Sequence, residues 1–174
     1  MRKNKRTSLK GVKKLEHTMT RLLKPLGVRK CLLGEEFSAF PSDAVVIFPV
    51  VIAEEVDTDF VAFCDSIEET FAPVGILSFL HEIGHIKTCE DFSMEEWSSY
   101  EDEVNELTEK MRYLSSEERR PYLNRYFNLP QERAASTWAV KYANANPENV
   151  KKLCSKMEDA FGAFYKKNKL TIIQ

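Results

Sequence analysis

The chain predicts an α+β fold, mainly helical, with a small three-stranded sheet ahead of the helix that carries the chemistry. Three observations lead there. β-branched and apolar runs gather before residue 65, between loops rich in Gly, Pro and Ser. Past residue 93 the apolar residues recur at three and four, the spacing of amphipathic helices. Between the two regions stands Phe79-Leu80-His81-Glu82-Ile83-Gly84-His85-Ile86, an apolar run with two histidines four residues apart.

Taken in order, residues 1–7 read as a disordered basic tail, and 8–174 as a single domain. Leu9, Val12, Leu15, Met19, Leu22, Leu23 and Leu26 mark an amphipathic helix that Pro25 and Gly27 end, with His17 on its polar surface. Val28 to Leu33 reads as a short strand, 34–43 as a loop, and Ala44 to Ile52 as a buried strand that Pro49 bends or breaks. Phe60 to Cys64 reads as a further strand, and residues 59–64 as an edge that could hold an extended peptide. Pro73 stands at a helix start, and Ile76, Phe79, Ile83 and Ile86 form its core-facing stripe.

Ser93-Met94-Glu95-Glu96 is a capping box opening a long helix with Met94, Trp97, Tyr100, Val104, Leu107, Met111 and Leu114 on its apolar face. Ser115 to Glu118 repeats the pattern before a short helix or turn at 122–127. Pro130 opens a helix over 131–143, and Asn146-Pro147 starts the last one, which buries Val150, Leu153, Met157, Phe161 and Phe164. Trp97 and Trp138 read as core residues.

Composition narrows the function classes. The four cysteines, at 31, 64, 89 and 154, form no CxxC pair, which argues against a cysteine metal site or a disulfide framework and predicts reduced, cytoplasmic thiols. The longest apolar run before the histidine helix, 44–53, is too short to span a bilayer, and no apolar segment of the signal-peptide kind follows the basic N-terminus. No membrane role is expected. Residues 1–30 hold eleven Lys or Arg against Glu16 alone, which leaves the rest of the chain acidic. Such an arm could meet nucleic acid or an acidic partner, or sit on the acidic body of its own chain, or lie as a solvated face.

The histidines carry the strongest signal. On a helix, His81 and His85 share one face and can reach one metal ion. Glu82, about 100° round from His81, can take a proton from a water beside that ion without being a ligand. A catalytic zinc takes three protein ligands, and no histidine follows His85. Glu132 is the candidate third ligand, because Ala135, Ser136 and Ala139 share its helix face and would let that backbone approach closely. Glu103 and Glu106, 18 and 21 residues past His85, are the competing carboxylates but stand in a uniformly charged face. Tyr142 is too far along and around from Glu132 to be the oxyanion stabiliser.

His81-Glu82-Ile83-Gly84-His85 followed by Glu132-Arg133-Ala134-Ala135-Ser136-Thr137-Trp138-Ala139 resembles the paired motifs of short gluzincins, most nearly the ImmA/IrrE metallopeptidases. The resemblance implies a minimal zincin-like fold, one Zn2+ per chain on His81, His85 and Glu132, and Glu82 as general base. It also implies cleavage of a protein or peptide substrate such as a DNA-binding regulator, in a phage or mobile-element setting. Two features depart from the family. The 46 residues between His85 and Glu132 imply a helical insertion at about 89–129, and Ser136, the expected outer-shell support of the zinc, stands where the family often has Asn or Asp. The alternative is a non-catalytic zinc-containing module acting through its basic N-terminus or acidic insertion.

Overall fold

The computed structural model describes residues 9–49 and 58–168, so the expected tail at 1–7 and the chain at 50–57 lie outside the described residues. Helix α1, Leu9–Leu23, follows the leucine spacing and buries Leu15, Met19 and Leu23. A 3-10 turn at Lys24–Leu26 ends it, and Gly27 takes φ 95°, a left-handed conformation that residues with a Cβ rarely adopt. His17 is exposed, as its polar neighbours predict.

Three strands follow: β1 (Lys30–Gly34), β2 (Ser38–Phe40) and β3 (Val45–Pro49). They form one mixed sheet in the order β1-β3-β2, with β1 parallel to β3 and β2 antiparallel to it. Val46 and Phe48 alternate inward on β3 and are 0% exposed. Side chains of α1 cover β1: Thr20 Oγ1 accepts the Cys31 N–H at 2.8 Å and Glu16 Oε1 accepts the Leu33 N–H at 3.0 Å. That edge is therefore not open to another chain.

The sheet precedes the histidine helix as expected, but its third strand is not the expected one. Residues 60–64 belong to helix α2, Thr58–Ile67, and the third strand is β2, inside the stretch read as a loop. The apolar run was long enough for a strand only when taken alone. Extended to Ile67, its apolar positions fall at 60, 63, 64 and 67, one helical face, and Phe60, Phe63 and Cys64 are buried there. An edge strand at 59–64 holding a peptide is therefore ruled out.

Helix α3, Val74–Thr88, begins after Pro73 and buries Ile76, Phe79 and Ile83 on one side with His81, Glu82 and His85 on the other. Phe79 meets Phe48 of the sheet at a ring separation of 5.6 Å and Phe37 at 4.9 Å. Helix α4, Met94–Met111, opens on the capping box: Glu96 N–H donates to Ser93 Oγ at 3.2 Å, and Ser93 N–H donates to Glu96 Oε2 at 2.7 Å. A second box at Ser115 and Glu118 opens α5, which runs as a full helix over Ser116–Phe127. Helices α6 (Pro130–Ala145) and α7 (Pro147–Asn168) start at their prolines, and α7 buries Val150, Met157, Phe161 and Phe164.

The main packing is α3 against α6. A Cβ at Gly84 would stand 2.8 Å from both the Cα and the carbonyl carbon of Ala135, so the two backbones touch with no side chain between them. In an ordinary helix, Gly→Ala gains up to about 1 kcal/mol. Here the obstacle is backbone, and overpacking costs about 1–3 kcal/mol. Gly84→Ala should therefore lower stability, read as a lower urea midpoint at unchanged slope; an equal or higher midpoint would show that the helices lie further apart.

Candidate metal centre

Helix α3 supplies His81 and His85 one turn apart, and the first turn of α6 supplies Glu132, where the helix dipole favours a carboxylate. His81 Nε2 lies 3.0 Å from Glu132 Oε2, His85 Nε2 lies 3.5 Å from Glu132 Oε1, and the two Nε2 atoms are 3.2 Å apart. The three residues are buried, each offering one ligand atom within 4.8 Å of the others, and could hold a metal ion. Glu103 and Glu106 are elsewhere, paired with Arg125 and Lys110 at the surface.

Ser136, one turn beyond Glu132, is 0% exposed, and its Oγ is 2.9 Å from His81 Nδ1. With the proton on Nδ1, that contact orients the ring and turns the unprotonated Nε2 toward Glu132. Lone pairs then face lone pairs. Glu132 Oε2 is buried with no hydrogen-bond partner, which is costly for a carboxylate oxygen. A divalent cation among these atoms would satisfy all three, so the donor set fits a metal.

Electrostatics follow from the burial. Desolvation favours neutral His81, but the adjacent Glu132 carboxylate, with Glu82 adding, outweighs it and raises its pKa above the usual value. Desolvation also opposes the charge on Glu132, yet His81 and His85 hold its carboxyl well below the ordinary range. Glu82 is pushed up, chiefly by burial, with the two imidazoles opposing and Glu132 assisting. A bound cation would act on all three groups by favouring carboxylate and neutral imidazole.

Aromatic residues wall the centre. Phe60 of α2 meets the His81 ring edge-on at 5.4 Å, so the segment expected as a peptide-holding strand serves as a wall instead. Trp97 and Tyr100 of α4 stand 6.5 and 6.4 Å from the His85 ring. Trp97 is half-buried beside the site rather than in the core, with its Nε1 donating to Cys89 O at 3.0 Å, whereas Trp138 packs against the core as expected. Tyr142 stacks on Trp138 at 5.1 Å.

Sequence reasoning missed two residues here. Tyr100 donates to Glu132 Oε1, and Tyr126 of α5 lies near enough to Glu132 and Tyr100 for both to act electrostatically on its phenol. A tyrosine on an apolar helix face needs a partner for its hydroxyl, which was the available signal, but spacing alone could not name that partner. Burial is the first cause of the raised pKa of each phenol, and the nearby carboxylates add to it.

No protein-family model, curated protein or solved structure matches the chain.

Glu132→Ala should weaken zinc binding sharply, because two imidazoles leave the coordination shell short of a ligand, while Glu103→Ala and Glu106→Ala should leave it unchanged. Competition with a chromogenic chelator measures all three. Ser136→Ala should weaken binding by about 10- to 100-fold, the usual range for a group that orients a ligand. Equal affinity in all four variants would place the metal elsewhere.

Proposed function

We propose that this chain is a zinc-dependent metallopeptidase of the short gluzincin type, as its two motifs suggest. The observation that supports it most is the convergence of three buried donors, two from HEIGH and one from α6 with 46 residues between His85 and Glu132, and with Glu82 on the neighbouring face of α3. A helix scaffold requires neither that convergence nor a glutamate kept buried beside two histidines.

His81, His85 and Glu132 would hold the ion, and Ser136 would keep His81 in the ligating tautomer. Zinc bound there supplies Lewis acidity and lowers the pKa of water to about 7. Glu82 then has a proton-transfer role. Its carboxylate takes a proton from the attacking water and returns it to the amide nitrogen as the peptide bond breaks. The aromatic walls exclude bulk water, which strengthens each charge interaction inside. The substrate class the resemblance suggests is a DNA-binding regulatory protein.

One observation favours the second reading, a zinc-containing interaction module without turnover. His81, Glu82 and His85 are each only 6–7% exposed, and α4 stands beside the site. Glu82→Gln separates the two. In the enzyme it should retain zinc at wild-type affinity and lose at least about 100-fold in turnover, the scale of general-base catalysis. Cleavage of a denatured-protein digest, read by mass spectrometry, is the assay; equal cleavage by the variant would remove Glu82 from the mechanism, and no cleavage by zinc-loaded wild type would favour the module. Zinc at 100 times Kd should also stabilise the fold by about 2.7 kcal/mol, seen as a higher melting temperature that a chelator reverses.

A further inference from the structure

The helices between the HEIGH motif and α6 bring two phenols to one carboxylate. Tyr100 comes from α4 and Tyr126 from α5, 26 residues apart in the chain. The Tyr100 hydroxyl donates to Glu132 Oε1, while the Tyr126 phenol lies near enough to Glu132 and Tyr100 for both to act electrostatically on it. Glu132 is 0% exposed, so the phenols take the place that water would have on a surface carboxylate. The other oxygen, Oε2, has no hydrogen-bond partner.

That asymmetry carries the argument. The last torsion of a glutamate side chain is broad and roughly two-fold, so an unrestrained carboxylate rotates and exchanges its oxygens. A donor fixed on one oxygen removes that freedom. Packing alone would not call for a hydroxyl: the Tyr100 ring already rests on Trp97 at a 5.4 Å ring separation, which phenylalanine would reproduce.

We propose that Tyr100, backed by Tyr126, is a positioning residue that locks the Glu132 carboxylate with Oε2 turned toward the metal, making α4 and α5 part of the metal centre. This rests on His81, His85 and Glu132 being the metal ligands. A second tie holds the same helices together: Gln131 Nε2 donates to Glu96 O at 3.0 Å, joining the start of α6 to α4.

The test uses the full chain with Tyr100→Phe and Tyr126→Phe, which keep the rings and remove only the hydroxyls. Zinc affinity is measured by chelator competition, and the ligand field by the visible absorption bands of the Co2+-substituted protein. Tyr100→Phe should bind zinc about 10- to 100-fold more weakly and shift the Co2+ bands, with Tyr126→Phe moving both in the same direction by less. Wild-type zinc affinity together with unchanged Co2+ bands in Tyr100→Phe would overturn the proposal while leaving the metal site intact. Should Tyr100→Phe not fold, Tyr126→Phe decides by the same two readings. A wild-type chain that binds no zinc would overturn this proposal and the metal reading with it.

Discussion

The close approach of α3 to α6 is the constraint on which the rest of this structure depends. Glutamate has a short reach, and His81 and His85 sit on a helix whose other side is committed to Phe48 and the sheet through Phe79. The carboxylate can meet the imidazoles only if the two backbones come into contact. Gly84 and Ala135 permit that contact, and Ser136 and Ala139 continue the small face along α6. The packing that stabilises the helix pair is thus the packing that assembles the site.

Burying a carboxylate there is expensive. The effective penalty for an ion taken from water into a protein interior is several kcal/mol, even after relaxation. Glu132 meets it with neighbours: two imidazoles, two phenols and the N-terminal end of its own helix. These partners leave Oε2 unsatisfied and turn His81 Nε2 toward it. Metal-free, this cluster is a set of acceptors held against one another, and protons on the imidazoles relieve it only in part. The surrounding helices thus fix the positions of three donors that could hold a cation between them.

Helices α4 and α5 connect the histidine helix to α6. Capping boxes at Ser93 and Ser115 start both helices, and the pairing of Arg125 with Glu103 joins them at the surface. Their acidic outer side is solvated, as the density of charge predicts, yet their inner side presents Trp97, Tyr100 and Tyr126 to the metal centre. A pair of helices that only shielded the site would need apolar contacts alone. Here α4 also supplies the Tyr100 hydroxyl that donates to Glu132.

What the sequence determined by itself was local. The four-residue spacing of His81 and His85, the leucine repeat of α1, the two capping boxes and the helix-opening prolines at 130 and 147 each act within a few turns, so a reading of neighbours sees them. The small face around Glu132 extended that legibility to the third donor, because it stated a packing requirement in residue sizes. The misses mark where local signals compete or end. Phe60 to Cys64 satisfies strand propensity over five residues and a helical stripe over eight, and packing against His81 and Phe127 settled the matter. The strand Ser38–Phe40 is three residues long and exists by pairing with β3, which no alternation of its own announces. Only the tertiary structure decided that Tyr100 and Tyr126 would reach Glu132, because a hydroxyl's partner is chosen by which helices meet in space.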